Sequence, residues 1–190
     1  MGNLNIDKSI LIEAMEKTAE GVAISDAQQP DNPLVFVNEG FEKITGYSRE
    51  EIIGKNCRFL QGPNTDPEVT AVIRAALREG KHCVVELINH RKDGSKFWNR
   101  LSMNPLKDAS GKITHFVGIQ SDITEAKKLE EVLTNLTNAF LVYFGNQENS
   151  YERTLDDLNK IIAQAELTDE NRERLGRLKK LIQAVENSEA

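Results

Sequence analysis

Cys57 and Arg58 stand side by side in the stretch NCRFLQGPNTD, which runs from Asn56 to Asp66 and also contains Gln61. Cysteine is usually buried, whereas arginine almost never is unless it is paired. About one helix further on comes Arg74, on a polar face opposite Ile73 and Leu77. Asn89 and Asn99 sit in the otherwise apolar segments ELIN and FWN, and Gln120 ends FVGIQ. Amides on the inner face of a sheet must be hydrogen-bonded or cost about 1–3 kcal/mol each. Several together suit a planar ligand edge of alternating donors and acceptors. Two arginines suit an anion, because the guanidinium fork matches phosphate, and a thiol suits a covalent partner. A flavin mononucleotide combines a polar ring edge, a phosphate and an electrophilic ring carbon. Taken singly, each residue has a plainer reading: an inert packed thiol, surface ion pairs, cross-strand amides.

Elements must hold these groups in place. Ile10, Leu11, Ala14 and Met15 recur at helical spacing after an Asp7 cap, predicting a helix over Asp7–Lys17. GVAIS and PLVFVN read as strands separated by the turn-rich DAQQPDN. Ser48 and Glu51 have the spacing of a capping box for a short helix ended by Gly54. Asp66-Pro67 opens a helix with Val69, Ile73, Ala76 and Leu77 on its apolar face, stopped by Gly80. Three strands then follow, about 82–91, 96–106 and 113–121, joined by KDGS and DASGK. The order implies an α+β domain, an antiparallel sheet covered by helices on one face.

The chain changes character after Ser121. Asp122 and Glu125 have capping-box spacing, and Leu129, Leu133, Leu136, Phe140 and Tyr143 step by 4, 3, 4 and 3, an a/d seam about two heptads long. GNQENS interrupts it. Further helices are expected around Leu155, Leu158, Ile162 and Ala165, and around Leu175, Leu178, Ile182 and Val185. Two readings of this tail stay open: a helical hairpin folded on its own domain, or a dimer interface and output arm.

Composition limits the function. The net charge of −6 argues against nucleic acid as a direct partner. The cysteines, Cys57 and Cys83, form no Cys-x-x-Cys pattern, and His82, His90 and His115 complete no zinc spacing. No signal peptide or membrane span is legible, so the expectation is a reduced, cytoplasmic protein without a membrane role. Cys83 and Trp98 read as packing residues.

GKNCRFLQGPNTD, NHRKDGSKFWN and FVGIQSDIT closely resemble the LOV family, the flavin-binding blue-light sensors of the PAS superfamily. The resemblance covers roughly 21–124, with a helical cap over 1–20 and a helical extension over 125–190. It implies a PAS fold, with a five-stranded antiparallel sheet, and bound FMN. Cys57 would form a reversible bond to the flavin C4a carbon after illumination. Arg58 and Arg74 would clamp the phosphate. Asn56, Gln61, Asn89 and Asn99 would bond the ribityl chain or ring edge. Gln120 would lie beside N5 and turn when N5 gains a proton. Ser25 keeps a hydroxyl where relatives often have Thr. Leu60, Leu77, Leu101, Met103 and Phe116 would wall the pocket, with Leu101 in place of the Phe common in plant relatives. A short loop after the cysteine turn favours FMN over FAD.

Such a photoreceptor is not an enzyme. The first tail helix holds no histidine to phosphorylate, and the tail is too short for a kinase ATP-binding domain. The expected partners are a second copy of the chain, through N- and C-terminal helices, and a downstream signalling protein. The alternative is a light-independent flavin, redox or protein-interaction module of the same fold.

Overall fold

A computed structural model describes residues 7–145 and, beyond them, Lys160, Thr168, Asp169, Asn171, Glu173, Gly176 and Arg177. Five strands, β1 (Gly21–Asp26), β2 (Leu34–Val37), β3 (Cys83–His90), β4 (Lys96–Lys107) and β5 (Ile113–Asp122), form one sheet in the order β2-β1-β5-β4-β3. Every neighbouring pair is antiparallel. The fold is the expected α+β arrangement with five antiparallel strands.

The helices begin and end where the local chemistry dictates. Asp7 accepts from Ser9 N–H at 3.0 Å and caps α1 (Lys8–Lys17). Glu51 accepts from Ser48 N–H at 3.0 Å at the start of α3 (Arg49–Ile52). Asp66 accepts from Glu68 N–H at 2.8 Å ahead of α4 (Pro67–Glu79), which Gly80 ends with φ 60°. A side chain there would prefer to leave the left-handed region. Tight turns set the register of the last three strands. Arg91 N–H reaches Ser95 O at 2.8 Å across KDGS, and the Asp108 carboxylate accepts from Ser110 and Lys112 N–H across DASGK.

Two features go beyond the sequence reading. Residues 39–45, which carry no strong periodic signal, form α2 (Glu39–Thr45). Asp122 is the last residue of β5, its carboxylate accepts from Arg91 Nη2 at 2.6 Å, and α5 (Thr124–Gly145) starts after it. An ionic partner across the sheet end thus holds a side chain whose spacing also suits a cap.

α2 exists because of Asn38. This residue is fully buried, and its Oδ1 accepts from both Val22 N–H, at 2.8 Å, and Phe41 N–H, at 2.9 Å. Its Nδ2 donates to Met15 O at 2.8 Å and Glu20 O at 3.0 Å. One amide therefore joins the end of α1, strand β1 and the first turn of α2. Gly40 follows because the site is crowded: a Cβ there would lie 2.3 Å from Glu20 O.

Two apolar clusters flank the helix-covered face of the sheet. Ala23, Leu34, Val37, Phe41, Ile52 and Leu60 form one, with Cys57 and Phe59 packed on it. Ala76, Cys83, Met103 and Phe116 form the other, so Cys83 is a packing residue, as expected.

The residues after Ile123 form a second compact unit. On α5, Val132 and Leu136 are buried while Leu133 is 46% exposed. The buried stripe thus includes Val132, which the a/d reading left out. The side chains of Phe140 and Tyr143 and the two later predicted helices lie outside the described residues.

Asn38→Ala would strip two buried N–H groups of their acceptor and should lower the unfolding free energy by about 2–4 kcal/mol. Asn38→Asp restores the acceptor but turns a carboxylate toward backbone carbonyls, and should not rescue stability. Urea unfolding of the three proteins measures both outcomes.

Candidate functional site

Period-2 alternation selects what the inner face of the sheet presents. Ala23 and Ser25 of β1, Leu87 and Asn89 of β3, Asn99, Leu101 and Met103 of β4, and Phe116, Gly118 and Gln120 of β5 all border one cavity of about 220 Å³. The register brings them level: Gln120 pairs with Leu101 and Gly21, and Asn99 with Leu87. The opposite wall comes from the 3₁₀ turn Cys57–Leu60 and from α4, through Leu60, Thr70, Ile73, Arg74 and Leu77.

The structure brings every sequence-predicted site residue to this cavity: Ser25, Asn56, Cys57, Arg58, Leu60, Gln61, Arg74, Leu77, Asn89, Asn99, Leu101, Met103, Phe116 and Gln120. It also adds Ala23, Asn32, Leu34, Thr70, Ile73, Leu87 and Gly118. Gly118 was visible in principle, since a glycine inside a strand marks a close approach. A Cβ there would meet Leu101 Cδ1 at 3.3 Å. Asn32 carried no readable signal, because its place depends on a loop that holds φ 47°.

Three amides and the thiol form a connected row. Asn99 Nδ2 donates to Asn89 Oδ1 at 2.8 Å and to Gln120 Oε1 at 3.1 Å. Gln120 Nε2 in turn donates to Cys57 Sγ at 3.9 Å. Asn89, Asn99 and Gln120 are all buried, and Asn99 Oδ1 is a buried acceptor with no partner among the described residues. Leaving it so costs about 1–3 kcal/mol, which a ligand N–H would recover.

Cys57 is partly accessible, and what it exposes faces the cavity. Desolvation pushes its thiol up to about 12, against a smaller opposing effect of the Gln120 N–H. The resting thiol is therefore a protonated, weak nucleophile that needs activation by whatever it meets.

The polar end of the cavity is arranged differently from the simple expectation. Asn56 Oδ1 accepts from Arg58 N–H at 2.9 Å and its Nδ2 donates to Asp31 O, so both ends of its amide serve the 3₁₀ turn and the β1–β2 loop. Arg58 grips the Asp31 carboxylate with both Nη atoms, at 2.7 and 2.6 Å. Arg74 is exposed and makes no ion pair among the described residues. Thr70 Oγ is committed to Pro67 O at 2.9 Å.

The PAS domain family matches residues 19–125. A blue-light-activated histidine kinase of Brucella anthropi is 46% identical over 120 residues, 63% of this chain and 24% of that protein. A blue-light photoreceptor of Listeria monocytogenes is 45% identical over 131 residues, 67% of this chain and 51% of its own length. The solved LOV domain from an Erythrobacter litoralis blue-light activated histidine kinase is 44% identical with a TM-score of 0.55, covering 57% of this chain and 99% of that one. The chain thus spans about a quarter to a half of the two curated relatives.

The folded state holds the Cys57 proton more tightly than the unfolded chain, which releases it near 9. The stability this contributes is intact below that pH and is lost as pH rises toward about 12. In unfolding titrations, the wild-type protein should lose stability relative to Cys57→Ala by up to about 1.4 kcal/mol per pH unit in this window. Parallel curves would contradict the buried, protonated thiol.

Proposed function

The chain belongs to the PAS domain family, as a LOV domain of blue-light photoreceptors, and on that premise we propose that it is a cytoplasmic light receptor, not an enzyme, with flavin mononucleotide in its cavity. One arrangement supports this above all. The Cys57 thiol lies within reach of the Gln120 amide in the same cavity as the unpartnered Asn99 Oδ1. That donor and acceptor set fits the polar edge of a flavin ring: an acceptor for an N–H, amide donors for carbonyl oxygens, and a thiol beside the ring.

Bound FMN would supply a light-excited ring able to accept the sulfur of Cys57 at carbon and the proton of the same thiol at nitrogen, reversibly and with no outside oxidant. Everything else is the work of this chain. Leu60, Leu77, Leu101, Met103 and Phe116 wall off water and hold the ring. Asn89 and Asn99 orient its polar edge, Ser25 and Gln61 meet its polar periphery, and Arg58 and Arg74 take the phosphate. Proximity replaces thiol activation: a protonated Cys57 is inert in the dark and needs only to be held close.

Gln120 is the group that reports the event. In the structure its Nε2 points to the thiol and its Oε1 receives Asn99. If a ligand nitrogen beside it changed from acceptor to donor, the amide would gain by turning its oxygen toward it, and the bond from Asn99 would have to be exchanged. Gln120 lies two residues before Asp122, which Arg91 holds, and Ile123 N–H is bonded to Trp98 O at 2.9 Å. The rearrangement therefore acts where β5 leads into α5, and a change of about 1–3 kcal/mol there shifts a two-state element substantially.

The output is a change in self-association or in binding of a downstream signalling protein. The helices supply apolar surface for it: Ile10, Leu11 and Ile12 of α1 are 57%, 50% and 57% exposed, and Leu133 of α5 is 46% exposed.

The full chain should be yellow, bleach in blue light and recover in darkness. Cys57→Ala should keep the colour and lose the reversible bleach, and persistence of the same photoproduct would refute the role of the thiol. Gln120→Leu should still bleach, while the light-induced change in mass or shape, measured by sedimentation, should be lost.

A further inference from the structure

The β1–β2 loop crosses the polar mouth of the cavity and is tied to the 3₁₀ turn by a single residue. Asp31 gives its backbone carbonyl to Asn56 Nδ2 and both carboxylate oxygens to Arg58. It is held with φ 70°, and the next residue, Asn32, has φ 47° and borders the cavity beside Arg58. Two consecutive left-handed residues without a glycine are uncommon and aim the loop at one place. Hydrogen bonding to Arg58 keeps the Asp31 carboxyl below its usual range, so at neutral pH the pair is charged on both sides.

This matters for an anionic ligand. The Nη atoms of Arg58 that would meet a phosphate already carry a carboxylate, whereas Arg74 across the mouth carries none among the described residues. The side chains of Arg58 and Asp31 are 57% and 60% exposed, and ion pairs this open are weak and easily exchanged. We propose that Asp31 is a selectivity residue of the flavin site. It half-neutralises Arg58, lowers the advantage of a phosphorylated flavin over one without phosphate, and leaves Arg74 as the dominant phosphate ligand. The proposal rests on the reading of the cavity as a flavin site and adds which charge state of flavin it favours and why.

A bidentate pair could instead hold the guanidinium ready for phosphate. Two considerations decide against that. Arg58 is already oriented through its backbone, because Asn56 caps the turn that carries it. A phosphate brought to Arg58 would also lie close to a second anion, and that repulsion remains even if Arg58 serves both with its five N–H donors.

The test is the ratio of riboflavin to FMN dissociation constants, measured by quenching of flavin fluorescence on titrating the full, flavin-stripped chain. Asp31→Asn suits it, because asparagine tolerates positive φ well and can still bond Arg58. The variant should raise the ratio by about three- to tenfold, by tightening FMN while riboflavin affinity stays within about twofold. In the wild type, Arg74→Gln should lower the ratio more than Arg58→Gln does. In the Asp31→Asn background the loss on Arg58→Gln should grow. An unchanged or lower ratio in Asp31→Asn, or equal shifts for both flavins, overturns the proposal while leaving the flavin site standing. Failure of the wild type to bind either flavin overturns both.

Discussion

Buried amides must be bonded, and in this protein one short row of them joins the ligand cavity to the end of the sheet. Asn99 bonds both Asn89 and Gln120, and Gln120 bonds the Cys57 thiol. Each of these polar groups is held in an apolar interior where an unmade hydrogen bond costs about 1–3 kcal/mol. Any change at the thiol end must therefore be answered by a new set of partners. That obligation makes the row suited to carrying information, because the amide of Gln120 can satisfy opposite demands by turning over. The five-stranded sheet is the frame that keeps Asn89, Asn99 and Gln120 on the same face and at the same level.

The same frame sets the temper of the cysteine. Packed beside Phe59 and the Leu34–Leu60 cluster, Cys57 holds its proton, so it does not behave like a thiolate nucleophile activated by histidine or a helix end. Its value lies in placement. In the proposed photochemistry, a thiol that is unreactive until its neighbour is excited would give a low dark background, and its return would reset the row.

Much of this was legible in the sequence, for definite reasons. Hairpin turns, an Asp-Pro helix start and a glycine stop are local signals, and α4 and the last three strands follow them closely. Alternation along each strand then brings Asn89, Asn99, Leu101, Met103, Phe116 and Gln120 to a common wall without any knowledge of the fold. What the sequence hid depends on partners distant in the chain. Asn38 reads as the end of a strand, yet its side chain gathers groups from three segments and starts α2. Asp122 has the spacing of a cap, a pattern that says nothing of its bond to Arg91. Asp31 sits in a turn-rich loop and is joined to Arg58, 27 residues away. No local pattern records such pairings, because they join residues far apart in the chain.

The central claim is that the thiol of Cys57 and the amide of Gln120 change together. Infrared difference spectra, dark against blue-lit, of the full chain with isotope-labelled glutamine side chains test it directly. The account predicts that the S–H stretch assigned to Cys57 disappears in the light and a glutamine side-chain carbonyl band shifts with it. Both should return in the dark at one rate, and the shift should be absent in Gln120→Leu. An S–H band that survives illumination, or a glutamine band that stays fixed while the S–H band is lost, would contradict it.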